Sequence, residues 1–332
     1  PPWIKAILVS LVLINIKSFP LLWHIRVLGA AVISRNRARP SVHALLPWIR
    51  SNKYPTTSPG ITPRLRLDQV PLGRDIFTDR FSMILRATPD DCDWNGHMSN
   101  SSYPRSLDHP RIAFFSSRFL RVHFDGGHWA LGGSNFIFHR EIPFMAKYEV
   151  ECSIGGWDEK WFYIVARFMS PSKPTPTRSS VVRSKSAQNL KKLLGERTLY
   201  CTSVSRYCTK AGRKTIPPWF VVATSGYGTF ASTRTNWDKS ENLRRNTLAR
   251  AKADYEAKTG KAMPRDAFVM GSGYRKGGIL YAYDPARKPN DLSDERGLGS
   301  LQDPQSWHLA EWEERRLKGL ELIKTLGGLA QP

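Results

Sequence analysis

Between Asp91 and Tyr103 the chain reads Asp-Cys-Asp-Trp-Asn-Gly-His-Met-Ser-Asn-Ser-Ser-Tyr. This stretch gathers two carboxylates, a thiol, an imidazole and two carboxamides just ahead of a helical pattern. A carboxylate near a helix N-terminus suits acyl chemistry, because the N–H groups of the first turn can hold the oxyanion of a tetrahedral intermediate. The candidate donors are the amides of Ser102 and Tyr103; Pro104 has no N–H to offer. Gly96 allows a positive φ or a close substrate approach. Plainer roles stay open beside these. Asp93 could cap a turn or the helix. His97 is a loop-shaping residue or a general base. Cys92 is a small packed residue or a nucleophile, although no paired base is evident. Asp108 and Arg111 stand three apart on the following helix and could pair with each other.

The elements that must position this loop are legible on both sides of it. Ile76 to Arg86 is extended and partly alternating, a first strand. Thr88 to His97 is a polar, turn-rich loop. Ser101 to Val122 carries Leu107, Ile112, Phe115 and Leu120 at mostly helical intervals, with Ser101 or Ser102 as N-cap. Pro104 fits a first turn, whereas Pro110 predicts a kink or break. Four strand-like runs follow: His128 to Ile142, Lys147 to Trp157, Lys160 to Ser170 and Thr198 to Lys210. Gly155-Gly156-Trp157-Asp158 reads as a hairpin turn, and Trp219 to Thr224 as a further β run. The order is strand, loop, helix, then antiparallel strands. That predicts an α+β fold in which an antiparallel sheet wraps around one long helix, and it argues against βαβ repeats.

The loop resembles the D-x-D-x-x-G-H-[VM]-N-N-x-x-Y pattern of hotdog-fold acyl-CoA thioesterases of the 4-hydroxybenzoyl-CoA thioesterase type. Here it is carried by Asp91, Asp93, Gly96, His97, Met98, Asn100 and Tyr103. The resemblance covers roughly Asp75 to Thr224 and is closest to a divergent eukaryotic branch, found in fungi and animals, with an N-terminal hydrophobic segment. It implies a hotdog fold and hydrolysis of an acyl thioester to free acid and CoA, with no metal or other cofactor. Asp93 falls on the family's catalytic carboxylate, which attacks the carbonyl or activates water. Asn95, Gly96, His97, Asn100, Ser102 and Tyr103 would form the pocket and oxyanion site. Arg140, at the end of a strand expected to line the acyl channel, could meet a CoA phosphate or be a solvated charge. The resemblance also implies a homodimer or higher oligomer. Three positions depart from the pattern: Ser99 replaces its first Asn, and Pro104 and Pro110 fall in the central helix. Either proline could tilt the helix and misplace the donors, and a ~1 Å error can cost ~100-fold in rate. A catalytically weak or inactive hotdog protein that binds acyl chains or acts as a membrane scaffold is therefore the alternative.

The remaining chain decorates this domain. Residues 1–48 form a hydrophobic segment and 49–74 a Pro-, Ser- and Thr-rich linker. The domain follows at 75–230 with a basic, flexible insertion at 171–197, and a helical extension at 231–332. Ala6 to Ile16 is uncharged but spans only about 17 Å as a helix, short of the ~30 Å hydrocarbon core. Lys17 and Arg26 interrupt a longer span, while Trp3, Trp23 and Trp48 suit an interfacial belt and Arg35, Arg37 and Arg39 favour a cytosolic side. The expectation is an anchoring hairpin or tilted helix, with the domain facing the cytosol and the endoplasmic reticulum as a candidate membrane; packing on the protein's own core is the other reading. In the extension, helices are expected from Ser240 toward Gly260 and from Trp307 to Leu326, packed on the domain or on a second subunit. Gly271 to Gly278 reads as a hairpin turn, since it fits no phosphate-loop pattern.

The 332 residues hold 50 Lys and Arg against 28 Asp and Glu, a net charge of +22. Residues 1–80 account for +9 of it and 171–197 for +6. Such segments beside an apolar anchor suit an anionic membrane face and could draw in a polyanionic CoA ester. No zinc-finger, RNP-type or basic-zipper pattern supports a nucleic-acid partner. The four Cys lack any C-x-x-C spacing, which excludes a zinc ribbon or a thioredoxin-like motif.

Overall fold

The computed structural model describes residues 1–27, 29, 70–171, 197–262, 278–284 and 302–325. The expected linker up to residue 69, nearly all of the 171–197 insertion, and the glycine-rich run up to residue 277 lie outside them. The chain starts with α1 (Pro2–Ile14), whose residues are all exposed. A short 3-10 turn follows (Ile16–Ser18), then Leu21 with φ +67 and a helical stretch at 22–27. At 13 residues α1 is about 20 Å long. No helix among the described residues is long and apolar enough to cross a membrane.

The domain begins with β1 (Phe81–Arg86), whose alternation of exposed and half-buried positions marks a strand with one wet face. It is shorter than expected, because Asp75 turns the chain first: its Oδ1 accepts from the amides of Phe77 and Thr78. After the polar loop comes the central helix, α2 (Ser102–Arg118), then a short α3 (Leu120–Phe124). Pro104 sits in the first turn, where no helical hydrogen bond is lost. Contrary to expectation, α2 runs through Pro110 unbroken, pinned on either side by fully buried Leu107 and Phe114. The break comes at Phe119, whose ring packs edge-on to those of Trp129 and Phe162.

Four long strands follow: β2 (His128–Phe138), β3 (Lys147–Trp157), β4 (Phe162–Met169) and β5 (Leu199–Ala211); a short β6 (Lys214–Ile216) completes the sheet. The order is β1-β3-β4-β5-β2, all antiparallel, with β6 beside β5. The sheet curls around α2, the hotdog arrangement expected from the sequence. Two expectations fail locally. Gly155-Gly156 is no turn but a bulge within β3, and the chain reverses at Asp158, whose Oδ1 caps the amides of Lys160 and Trp161. The β run at Trp219–Thr224 is instead α4 (Pro218–Ser225). It is buried nearly all round, so no helical stripe shows, while Pro218 in its first turn starts it as a helix.

The extension packs on the domain. Helix α5 (Ala231–Thr259) starts nine residues earlier than expected, stops at Gly260 as read, and buries Trp237, Leu243 and Arg244. The short α6 (Ile279–Ala282) and Trp307 join the same core as Phe119, Phe162 and Phe220. The guanidinium of Arg244 holds Asp125 through three contacts of 2.7–3.1 Å and also bonds Thr224 O, Ser240 and Glu241; Arg121 reaches Glu241 in turn.

The last helix, α7 (Ala310–Thr325), packs Ile323 against Tyr163, Val165 and Val204 of the sheet, while its Trp312 joins the main core. It lies in backbone contact with the β3 bulge: a Cβ on Gly319 would come within 1.9 Å of Gly155 O. Gly319→Ala is therefore expected to lift α7 from the sheet and cost about 1–3 kcal/mol. A thermal midpoint equal to wild type would show that the helix can shift without loss.

Candidate functional site

The loop from Cys92 to Met98 closes on itself as a small bridged turn. Cys92 and Met98 pair, the Asp93 amide donates to His97 O at 2.9 Å, and the Gly96 amide donates to Asp93 O at 3.1 Å. Gly96 has φ +79 with open space around it, so the turn needs glycine for its backbone conformation and not for room. Asp93 Oδ1 accepts from the Asn95 amide at 2.9 Å, an Asx turn. Asp93 Oδ2 accepts no hydrogen bond among the described residues. His97 lies between two carboxylates, with Nδ1 3.6 Å from Asp93 Oδ1 and Nε2 3.2 Å from Glu141 Oε1. The turn role is present through one oxygen, and the other makes no hydrogen bond among the described residues.

Asp93, Asn95, His97, Asn100, Tyr103 and Arg140 line one open cleft of roughly 830 Å³, together with Met98, Phe138, His139 and Glu141. The cleft lies at the N-terminal end of α2 and runs to the end of β2. The Ser102 amide is already engaged by Ser99 O at 2.9 Å, whereas the Tyr103 amide meets no acceptor among the described residues. Of the two expected donors, Tyr103 is thus the one left to bind an oxyanion. The Tyr103 ring is buried against Phe138 and Phe168, and burial pushes its phenol up to about 12, so it stays protonated at neutral pH. Ser99, where the family pattern has Asn, exchanges hydrogen bonds with the hydroxyls of Ser101 and Ser102 at 3.0 Å and so steadies the helix start. Arg140 is exposed, and its backbone amide donates to Tyr200 O. Burial and the Asp91 and Asp93 carboxylates raise the Cys92 thiol, which disfavours the thiolate a nucleophile requires.

The residue beneath the loop is Asp91, 1% exposed. Its carboxylate accepts from the Thr88 amide and hydroxyl and from Arg105, and it forms an ion pair with Lys17, 74 positions upstream. Its carbonyl takes the Ser99 amide at 2.9 Å. Lys17 also donates to Arg86 O at 2.7 Å, and Ser18 bonds Asp90. Sequence reasoning missed Lys17, Thr88 and Arg105; only the interruption of an apolar run by a lysine hinted at the first. Arg111, in the middle of α2, is buried and donates to Ser134 and Ser205 under the sheet, as well as pairing with Asp108 as its spacing suggested.

Burial pushes the Asp91 carboxyl up, but Lys17 and the Thr88 donors outweigh it and hold the group below its ordinary 3.8. A lowered folded pKa means that the stabilisation is whole above 3.8 and is lost as pH falls through the lower folded value. Residues 15–27 are thus expected to stay protected from proteolysis down to pH 3.8 and to become cleavable below it. Lys17→Met, worth about 1.5–3 kcal/mol as a charged hydrogen bond, should expose them already at neutral pH. Unchanged cleavage in that variant would show that the tie does not hold the segment.

Residues 87–219 match the family model of the thioesterase-like superfamily. The thioesterase lcsJ of Purpureocillium lilacinum is 28% identical over 245 residues, covering 67% of this chain and 71% of that protein. The probable thioesterase atnL of Emericella nidulans is 25% identical over 299 residues, covering 82% and 89%. Among solved structures, 4-hydroxybenzoyl-CoA thioesterase bound to 4-hydroxybenzoyl-CoA aligns over 42% of this chain and 91% of that one, with 16% identity and a TM-score of 0.30.

Proposed function

Because residues 87–219 form a thioesterase-like domain, we propose that the chain hydrolyses an acyl-CoA or related acyl thioester to the free acid and the thiol at a membrane surface. The observation that carries this reading is an open cleft at the start of α2 lined by both Asp93 and Tyr103, where among the described residues Asp93 Oδ2 and the Tyr103 amide make no hydrogen bond. The substrate carbonyl would lie between them. Asp93 would either attack the carbonyl carbon, giving an acyl-aspartyl anhydride that water then cleaves, or take a proton from an attacking water. In both routes negative charge grows on the carbonyl oxygen, where the Tyr103 amide and the helix N-terminus favour it. The thiolate then leaves and the carbonyl re-forms. Arg140 at the cleft rim suits a CoA phosphate.

The outer edge of β2 pairs with no strand among the described residues. An open edge of this length supports a homodimer formed by pairing two β2 strands across subunits, with the clefts beside the junction. The exposed apolar α1, carried next to the loop by Lys17, supports the membrane part of the reading. A panel of acyl-CoA substrates of varied chain length, followed by thiol release, tests the activity. Turnover on part of the panel is expected. No turnover, with lipid retained on purification, would instead make the chain an acyl-binding protein.

A further inference from the structure

Next to residues that line the cleft, three apolar side chains stand outside both cores of the described residues. Trp94, at the tip of the bridged loop, is 101% exposed; Phe144 and Met145, on the loop joining β2 and β3, are 51% and 41% exposed. The two loops are tied together. The Phe144 amide donates to Gly96 O at 3.0 Å, the Met98 amide to Ile142 O at 2.9 Å, and His97 bridges Pro143. Met145 has φ +58, a conformation that L-residues disfavour, and its carbonyl is held by Arg86 Nη1 at 2.9 Å. Arg86 stands opposite Lys147 in the register of β1 and β3. Two like charges placed face to face repel unless an anion lies near, and neither forms an ion pair among the described residues. The carbonyl of Arg86 also receives Lys17, at the base of α1. Arg86 thus links the apolar N-terminal segment to the rim, beside the ties of Lys17 to Asp91 and of Ser18 to Asp90.

We propose that Trp94, Phe144 and Met145 form a lipid-contacting rim that enters the headgroup region of an anionic bilayer, with Arg86 and Lys147 on the headgroups. The proposal rests on the membrane part of the function proposed above and adds a second, separate contact surface to α1. A solitary exposed indole beside aliphatic and aromatic side chains, flanked by cations, has the composition of an interfacial contact. The cleft would then open at the bilayer surface, so an acyl chain dissolved in lipid reaches Asp93 without crossing water.

The test uses the full chain with phosphatidylcholine vesicles, with and without phosphatidylserine, whose acyl chains are brominated to quench nearby indoles. Wild type should bind the anionic vesicles and lose more fluorescence than Trp94→Phe does. Phe144→Ser with Met145→Ser should weaken binding about tenfold. Binding by both proteins with equal quenching overturns the rim and leaves α1 as the contact. No vesicle binding by wild type overturns the rim and the membrane reading together. A Trp94→Phe chain that loses self-association in sedimentation would give the surface to a second copy, also overturning the proposal.

Discussion

Asp93→Asn is expected to lower thioester hydrolysis by about 10²–10⁴-fold, the usual worth of a positioned acid or base. The substitution isolates chemistry from structure. An Asn side-chain oxygen still accepts the Asn95 amide that Asp93 Oδ1 accepts at 2.9 Å, so the Asx turn survives. What is lost is the second carboxylate oxygen and the negative charge. The thermal midpoint should therefore match wild type while thiol release falls. Asp93→Ala removes both functions, and comparing the two variants separates the turn from the reaction. Full activity in Asp93→Asn would leave the carboxylate with the turn alone.

Arg244→Met is expected to cost about 3–5 kcal/mol, because it leaves Asp125 charged, buried and without its partner. With roughly 2–4 °C per kcal/mol for a chain of this size, the midpoint should fall by about 10 °C. Replacing both members, as in Arg244→Met with Asp125→Leu, should recover much of the loss, since the penalty lies in the stranded charge and not in the missing attraction. A double variant as unstable as the single one would instead assign the cost to the bonds Arg244 makes with Thr224 O and Ser240. Either outcome is read by thermal unfolding with no need of a substrate.

These two residues also mark how far the sequence reaches. The turn around Asp93 was legible because the loop is local: its Asx residue, its glycine and the helix after it follow one another in the chain. Strand β3 was legible because Tyr148 to Ile154 alternates, with Tyr148, Val150, Cys152 and Ile154 turned into the main core. Helix α4 was not, since a segment buried nearly all round has no stripe to show and its β-branched residues imitate a strand. The Gly155-Gly156 pair was misread because glycines signal both turns and bulges. Only the docking of α7 shows that these glycines serve close backbone approach. Arg244 and Lys17 lay beyond any local signal. Each meets its partner across a separation of 119 or 74 residues, and pairing at that distance leaves no mark in spacing.

The tie between Lys17 and Asp91 has a practical side. An apolar leader of this sort is the part most readily trimmed to obtain a well-behaved protein. A chain beginning at Asp75 would keep every residue of the cleft, yet Asp91 would lose its lysine, and among the described residues its carboxylate beneath the turn would keep Thr88 and Arg105. Rates measured on such a trimmed protein would describe a loosened loop, and a low value would say little about the full chain. Supplying the missing cation, for example by adding residues 15–27 as a separate peptide, would show how much of the deficit comes from the trimming.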